Sequence, residues 1–149
     1  MKTIYPGQTI GIIGGGQLGR MMALAAKEAG FKVAVLEPKM DSPCGQIADI
    51  QIVAPYNDEA ALEELAEVSE VITYEFENID YEGLKRLTEI AYVPQGAELV
   101  KITQDRILEK RSIRAAGVPV AKFIEVQSFE ELSSNIDNIG YPCVVKTTR

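Results

Sequence analysis

The chain contains no histidine, which excludes imidazole acid–base catalysis and histidine-built metal sites within it. Cysteine is scarce. Cys44 and Cys143 stand about a hundred residues apart, without the CxxC spacing of a zinc or redox site and too few for a disulfide framework, which suits a reducing cytoplasm. Positive charge is in the minority, with 15 Lys and Arg against 22 Asp and Glu. The net charge of -7 and pI near 4.7 speak against nucleic acid or an anionic membrane as partner, since both reward clustered cations. Long apolar runs are missing as well. Nothing approaches the roughly 20 residues of a membrane span, and Pro6 and Gly7 break any leader-like run after Lys2. A soluble, cytoplasmic protein with small-molecule partners is expected.

What is present is enough for a core: 149 residues, 46% of them hydrophobic, suit one domain or one domain and the start of a second. Short apolar runs alternate with helical periodicity. Thr9 to Ile13 reads as a buried strand, Leu18 to Ala29 as a helix ended by Gly30, and Lys32 to Leu36 as a second strand. Ile50 to Val53 reads as a third strand and Val71 to Tyr74 as a fourth. Asp58 and Asp80 stand where N-caps belong, before a helix with Ala61, Leu62, Leu65 and Ala66 on one face and before a helix through Leu87. Ala91 to Val93 is expected as a short fifth strand before Pro94. Strands alternating with helices imply a parallel sheet covered on both faces.

Beyond Pro94 the rhythm changes. Residues 97–116 form a helical tract broken near Thr103. A strand "VPVAKFIEV", a helix capped by Ser128 and a strand "GYPCVVK" are expected after it. The expected boundary lies near residue 100, with a first unit 1–100 and a second, 101–149.

The segment Gly11 to Gly19 packs five glycines into nine residues. Gly14, Gly16 and Gly19 spell G-x-G-x-x-G after a strand and at a helix start, where glycines tighten the turn and let a phosphate reach helix N–H groups. Glu37 ends the second strand, where a dinucleotide-binding domain places its ribose-binding acid, so an NAD-binding oxidoreductase is one reading. Close packing of helix on strand, without any ligand, is another. Glu75 and Glu77 alternate with Tyr74 and Phe76, so on a strand they share a face; a solvated strand end explains that pattern equally well. Arg20 and the Met21–Met22 pair read as helix surface and core. Arg106 lies among Lys101, Asp105, Glu109, Lys110 and Arg111, a charge pattern that a solvated helix also produces.

The loop "GGGQLGRMMALAA", with "TYEFENID" (73–80), "KITQDRILEKRSIRAAGVPVAKF" (101–123) and "IGYPCVVKTTR" (139–149), resembles the 5-(carboxyamino)imidazole ribonucleotide synthases, ATP-grasp ligases of de novo purine biosynthesis. The resemblance runs over the whole chain. It implies a Rossmann-like preATP-grasp domain over residues 1–100 and the first part of an ATP-grasp domain over 101–149. The implied reaction phosphorylates bicarbonate with ATP to carboxyphosphate and carboxylates the amine of 5-aminoimidazole ribonucleotide. By position in the family, Gln17, Leu18 and Glu75 face the ribonucleotide, Gly14, Gly16 and Gly19 form the loop backbone, and Arg106 and Lys146 face ATP. Glu37 is expected to be structural or near the site entrance, and Glu77 either orients the site or caps the following helix. Magnesium carboxylates and a glycine-rich lid are expected beyond Arg149, so the chain alone is expected to be inactive; a homodimer is expected of the full-length protein. The nearest rival is the formate-dependent glycinamide ribonucleotide transformylase, which carries Glu where this chain has Gln17.

Overall fold

A computed structural model describes residues 2–149. The elements are β1 (Thr9–Ile13), α1 (Gln17–Glu28), β2 (Lys32–Leu36), β3 (Ile50–Ile52), α2 (Glu59–Val68), β4 (Val71–Tyr74), α3 (Tyr81–Ile90), α4 (Glu98–Thr103), α5 (Arg106–Ala115) and α6 (Phe129–Asn135), the last followed by a 3-10 turn. The chain divides into two compact units, the first ending at Val100 and the second running Lys101–Arg149.

In the first unit the four strands are all parallel, in the order β3-β2-β1-β4. Alternation along each strand splits the core in two. Ile13, Ala34, Leu36, Ile72 and Tyr74 face α2 and α3 with Leu62, Leu65, Leu84 and Leu87. Ile12, Val33 and Val35 face the other way, toward Ala23 of α1 and Cys44. Capping is as the sequence suggests: Asp58 accepts from the Ala61 N–H and Asp80 from the Gly83 N–H, each satisfying a donor that the first helical turn leaves open.

The expected fifth strand is absent. Tyr92 supplies one backbone bond to the edge of β4, accepting from the Ile72 N–H at 2.9 Å, and Pro94, with no N–H to donate, ends the pairing there.

In the second unit α5 starts at an Asp105 cap that accepts from the N–H groups of Ile107 and Leu108, and α6 starts at a Ser128 cap that accepts from Glu131 N–H. The two strands expected at 118–126 and 140–146 do not form among the described residues. A strand needs a ladder partner and a covered face; here Val144 and Val145, adjacent in sequence and so opposite in side-chain direction if extended, are both exposed.

Candidate functional site

In a parallel sheet wound in both directions, ligands collect beyond the C-terminal ends of the strands where the winding reverses. Here that point lies between β1 and β4: β1 continues through α1 to β2 on one side, whereas β4 pairs with it on the other. Gly14 follows β1 and Glu75 follows β4, so the glycine loop and Glu75 meet at the reversal.

Their meeting is specific. The Glu75 carboxylate bridges the N-terminus of α1, Oε1 accepting from the Gly16 N–H at 3.1 Å and Oε2 accepting from the Gly19 N–H. A carboxylate is favoured there because the first-turn N–H groups and the helix dipole both present positive charge. Glu37 holds the adjacent peptide, its Oε2 accepting from the Gly15 N–H at 2.8 Å. The Gly14 N–H is taken by the Leu36 carbonyl. Among the described residues, the N–H groups of Gln17 and Leu18 alone in the stretch 14–19 have no acceptor, and both residues are exposed.

The crowded glycines have an answer in these contacts. Gly14 sits at φ +107, and a Cβ there would lie 2.6 Å from Glu75 Cγ; one on Gly15 would lie 2.5 Å from Glu37 Cγ; one on Gly19 would strike the Gly14 carbonyl oxygen. The loop is thin so that two of the protein's own carboxylates can reach it. Where a ligand phosphate is expected from the sequence, the N–H groups of Gly14, Gly15, Gly16 and Gly19 are each taken by an oxygen of the protein itself.

Glu37 is committed in the same way. Oε2 also accepts from the Tyr56 hydroxyl at 2.6 Å and Oε1 from the Lys39 N–H at 3.2 Å. Of the two roles expected for it, structural or near the site entrance, these bonds support the structural one, and a cofactor ribose would have to compete with the donors of Gly15, Tyr56 and Lys39. Tyr56 is pushed well above the usual phenol range by burial first and by its bond to Glu37 second, so it remains a proton donor at neutral pH. Cys44 supports the loop from below, its N–H donating to the Gly15 carbonyl at 2.9 Å. Burial, with the neighbouring Glu75 charge next, pushes its thiol up to about 11.

Other expectations are modified. Glu75 and Glu77 do not share a strand face, because β4 ends at Tyr74; Glu77 is exposed and Asp80 caps α3. Arg20 is more than helix surface, since its guanidinium donates to the Pro43 carbonyl at 2.8 Å and ties α1 to the loop bearing Cys44. Met21 is exposed, and Met22 packs against the α1-side core. Tyr56 was not singled out by sequence patterns. Its place between β3 and α2, at the sheet end where the strand-to-helix loops gather, was the available signal.

The second unit has its own groove, about 410 Å³, whose lining includes Arg106, Lys110, Phe123, Lys146 and Thr148. Arg106 and Lys146 are thus brought to one cavity. The Arg106 N–H donates to the Thr148 carbonyl at 2.9 Å, and among the described residues its guanidinium has no ion pair. The neighbouring cations are engaged otherwise: Arg111 pairs with Glu125 at 2.8 Å, and Lys110 and Arg114 lie over the Phe123 ring.

The sequence model of the ribonucleotide synthetase preATP-grasp domain matches residues 7–104. The chain belongs to this family. N5-carboxyaminoimidazole ribonucleotide synthase of Bacillus subtilis is 56% identical to this preATP-grasp chain over 148 residues, 99% of this chain and 39% of that protein. The Staphylococcus aureus N5-carboxyaminoimidazole synthetase, solved with ADP, matches with TM-score 0.88 at 47% identity, covering 97% of this chain and 40% of that one. An Aspergillus clavatus N5-carboxyaminoimidazole synthase solved with ADP and 5-aminoimidazole ribonucleotide matches with TM-score 0.81 at 26% identity, over 93% of this chain and 38% of that one. The preATP-grasp chain therefore spans about two fifths of the length of these relatives. No helix among its described residues is long and apolar enough to cross a membrane.

Proposed function

We propose that this chain supplies the ribonucleotide-holding half of an N5-carboxyaminoimidazole ribonucleotide synthase, which carboxylates 5-aminoimidazole ribonucleotide with ATP and bicarbonate. The observation that carries the reading is the Glu75 carboxylate fixed across the start of α1 beside two open N–H groups. Each Glu75 oxygen retains a lone pair after accepting from the loop, so it can accept from an amine or a ribose hydroxyl, while the Gln17 and Leu18 N–H groups can donate to a ring nitrogen or ribose oxygen. Acceptor and donors side by side suit the amine-bearing end of the ribonucleotide. A dinucleotide is favoured less, because its ribose would compete with the Gly15, Tyr56 and Lys39 donors for Glu37.

In the proposed reaction the amine nitrogen attacks the carbon of carboxyphosphate, the carbon–oxygen bond to phosphate breaks, and the departing phosphate takes up the amine proton. Glu75 would orient the amine for that attack. Carboxyphosphate hydrolyses readily, so holding amine and intermediate together away from water is the main catalytic task. In the second unit, read as the opening part of an ATP-grasp domain, Arg106 and Lys146 would contact ATP phosphates, for which guanidinium and ammonium groups at one groove are suited. Magnesium belongs to the reading, but no grouping of three or more Asp, Glu, Cys or His side chains among the described residues fits a metal ion, and no step is assigned to it.

Calorimetric titration of 5-aminoimidazole ribonucleotide into the polypeptide and into its Glu75→Gln variant tests the reading. Saturable binding by the first, weakened about tenfold or more in the second, is expected for loss of a charge-assisted hydrogen bond. Equal affinities would remove Glu75 from the site.

A further inference from the structure

Glu37 has been turned from the position of a ribose ligand into a clamp, and Tyr56 holds it there. Both backbone groups of Gly15 are tied, its N–H to Glu37 at 2.8 Å and its carbonyl to the Cys44 N–H at 2.9 Å. Gly15 immediately precedes the cap of α1, so its orientation sets the direction in which the open N–H groups of Gln17 and Leu18 point. Glu37 cannot leave without stranding the Gly15 N–H, because no other acceptor bonds to it.

Tyr56 links this clamp to the second one. Its hydroxyl donates to Glu37 Oε2 at 2.6 Å, and its ring meets Phe76 edge-on, with centroids 5.6 Å apart and planes at 69°. Phe76 is the neighbour of Glu75, and its ring edge lies where a Gly14 Cβ would be, at 2.9 Å. One half-buried side chain therefore touches both carboxylate-bearing segments that grip the loop. Those segments are the ends of β2 and β4, strands with β1 between them, so the loop after β1 is held from both sides.

We infer that Tyr56 and Glu37 are positioning residues for the ribonucleotide site: the Tyr56 hydroxyl fixes Glu37, Glu37 fixes Gly15, and Gly15 sets the N–H groups of Gln17 and Leu18. The inference rests on the function proposed above for its ligand, but not for its geometry. Neither side chain contacts substrate in this account. They act through the backbone of the loop.

The test uses the 149-residue polypeptide and its Tyr56→Phe variant, which keeps the ring against Phe76 and removes only the hydroxyl; Glu37→Gln is the second variant. Amide proton shifts are measured without ligand, and 5-aminoimidazole ribonucleotide affinity is measured by calorimetry. In Tyr56→Phe the Gly15, Gln17 and Leu18 amides are expected to shift while amides of α2 and α3 stay in place, and affinity is expected to fall about tenfold, as for a displaced binding group. Unmoved Gln17 and Leu18 amides would overturn the inference whatever binds. Moved amides with unchanged affinity, or a lowered melting temperature as the sole effect, would overturn it too. If the unmodified chain does not bind the ribonucleotide, the proposed substrate is wrong, and the amide shifts still decide whether Tyr56 positions the loop.

Discussion

Glu37 and Glu75 grip neighbouring peptides, the first accepting from the Gly15 N–H at 2.8 Å and the second from the Gly16 N–H at 3.1 Å. The two acids come from the ends of different strands and converge on one glycine loop. That loop is consequently occupied by the protein itself, and among the described residues of the stretch 14–19 Gln17 and Leu18 alone present unused backbone donors.

The glycines should separate by role. Gly14→Ala combines the left-handed φ of +107 with a Cβ 2.6 Å from Glu75 Cγ, and is expected to cost about 1–3 kcal/mol of stability. Gly19→Ala should cost a similar amount, because its Cβ meets the Gly14 carbonyl, which belongs to the backbone and cannot rotate away. Gly16 is at φ -72, and a Cβ there meets the Glu75 carboxylate, with Oε1 nearest at 3.0 Å. Gly16→Val should therefore fold, losing about 1 kcal/mol as a poorer cap, yet gain no thermal stability from added ribonucleotide. Melting curves with and without ligand check this, and a ligand-induced gain in Gly16→Val equal to that of the parent would assign Gly16 to packing alone.

The two cysteines should differ sharply in reactivity. Cys44 is fully buried with its thiol raised from 9.0 to about 11, so the attacking thiolate is scarce at pH 8. A disulfide reagent at that pH should modify Cys143 in the folded chain and reach Cys44 only after denaturation. The linkage has a definite sign. Because the folded-state value lies above the unfolded one, this contribution to stability is complete below about pH 9 and is lost as pH rises toward about 11. A melting temperature that falls across that interval in the parent, and less steeply in Cys44→Ala, is the expected result.

Much of the first unit was legible in the sequence. The bounds of β1, β2 and β4 follow from short apolar runs ended by glycine, proline or acidic residues, and the Asp58 and Asp80 caps stand where local hydrogen bonding alone dictates. The errors share one cause. Ala91 to Val93 and the segments 118–126 and 140–146 carry strand-type residues, but a strand requires a partner, and pairing is a non-local event that residue preference does not report. The same holds for the site. The glycine motif stands out by its spacing after a strand and Glu75 only through the family resemblance, whereas the use of Glu37 depends on Tyr56, 19 residues away along the chain and brought near only by the fold.

Hydrogen exchange should register that difference. Amides of β1 and β2, within the parallel ladder and between two cores, should exchange slowly, close to the rate of global opening. Amides of 119–126 and 143–147, outside helix and strand, should exchange orders of magnitude faster. Protection of 119–126 equal to that of β2 would mean that these residues pair in solution.

The most direct test of the central claim is an NMR titration of the chain with 5-aminoimidazole ribonucleotide, with NAD in parallel. The amides of Gln17 and Leu18 and the side-chain carboxylate of Glu75 should move with the ribonucleotide in a saturable way, and stay in place with NAD. Movement of these groups with NAD instead, or ribonucleotide shifts located away from the ends of β1 and β4, would contradict the account.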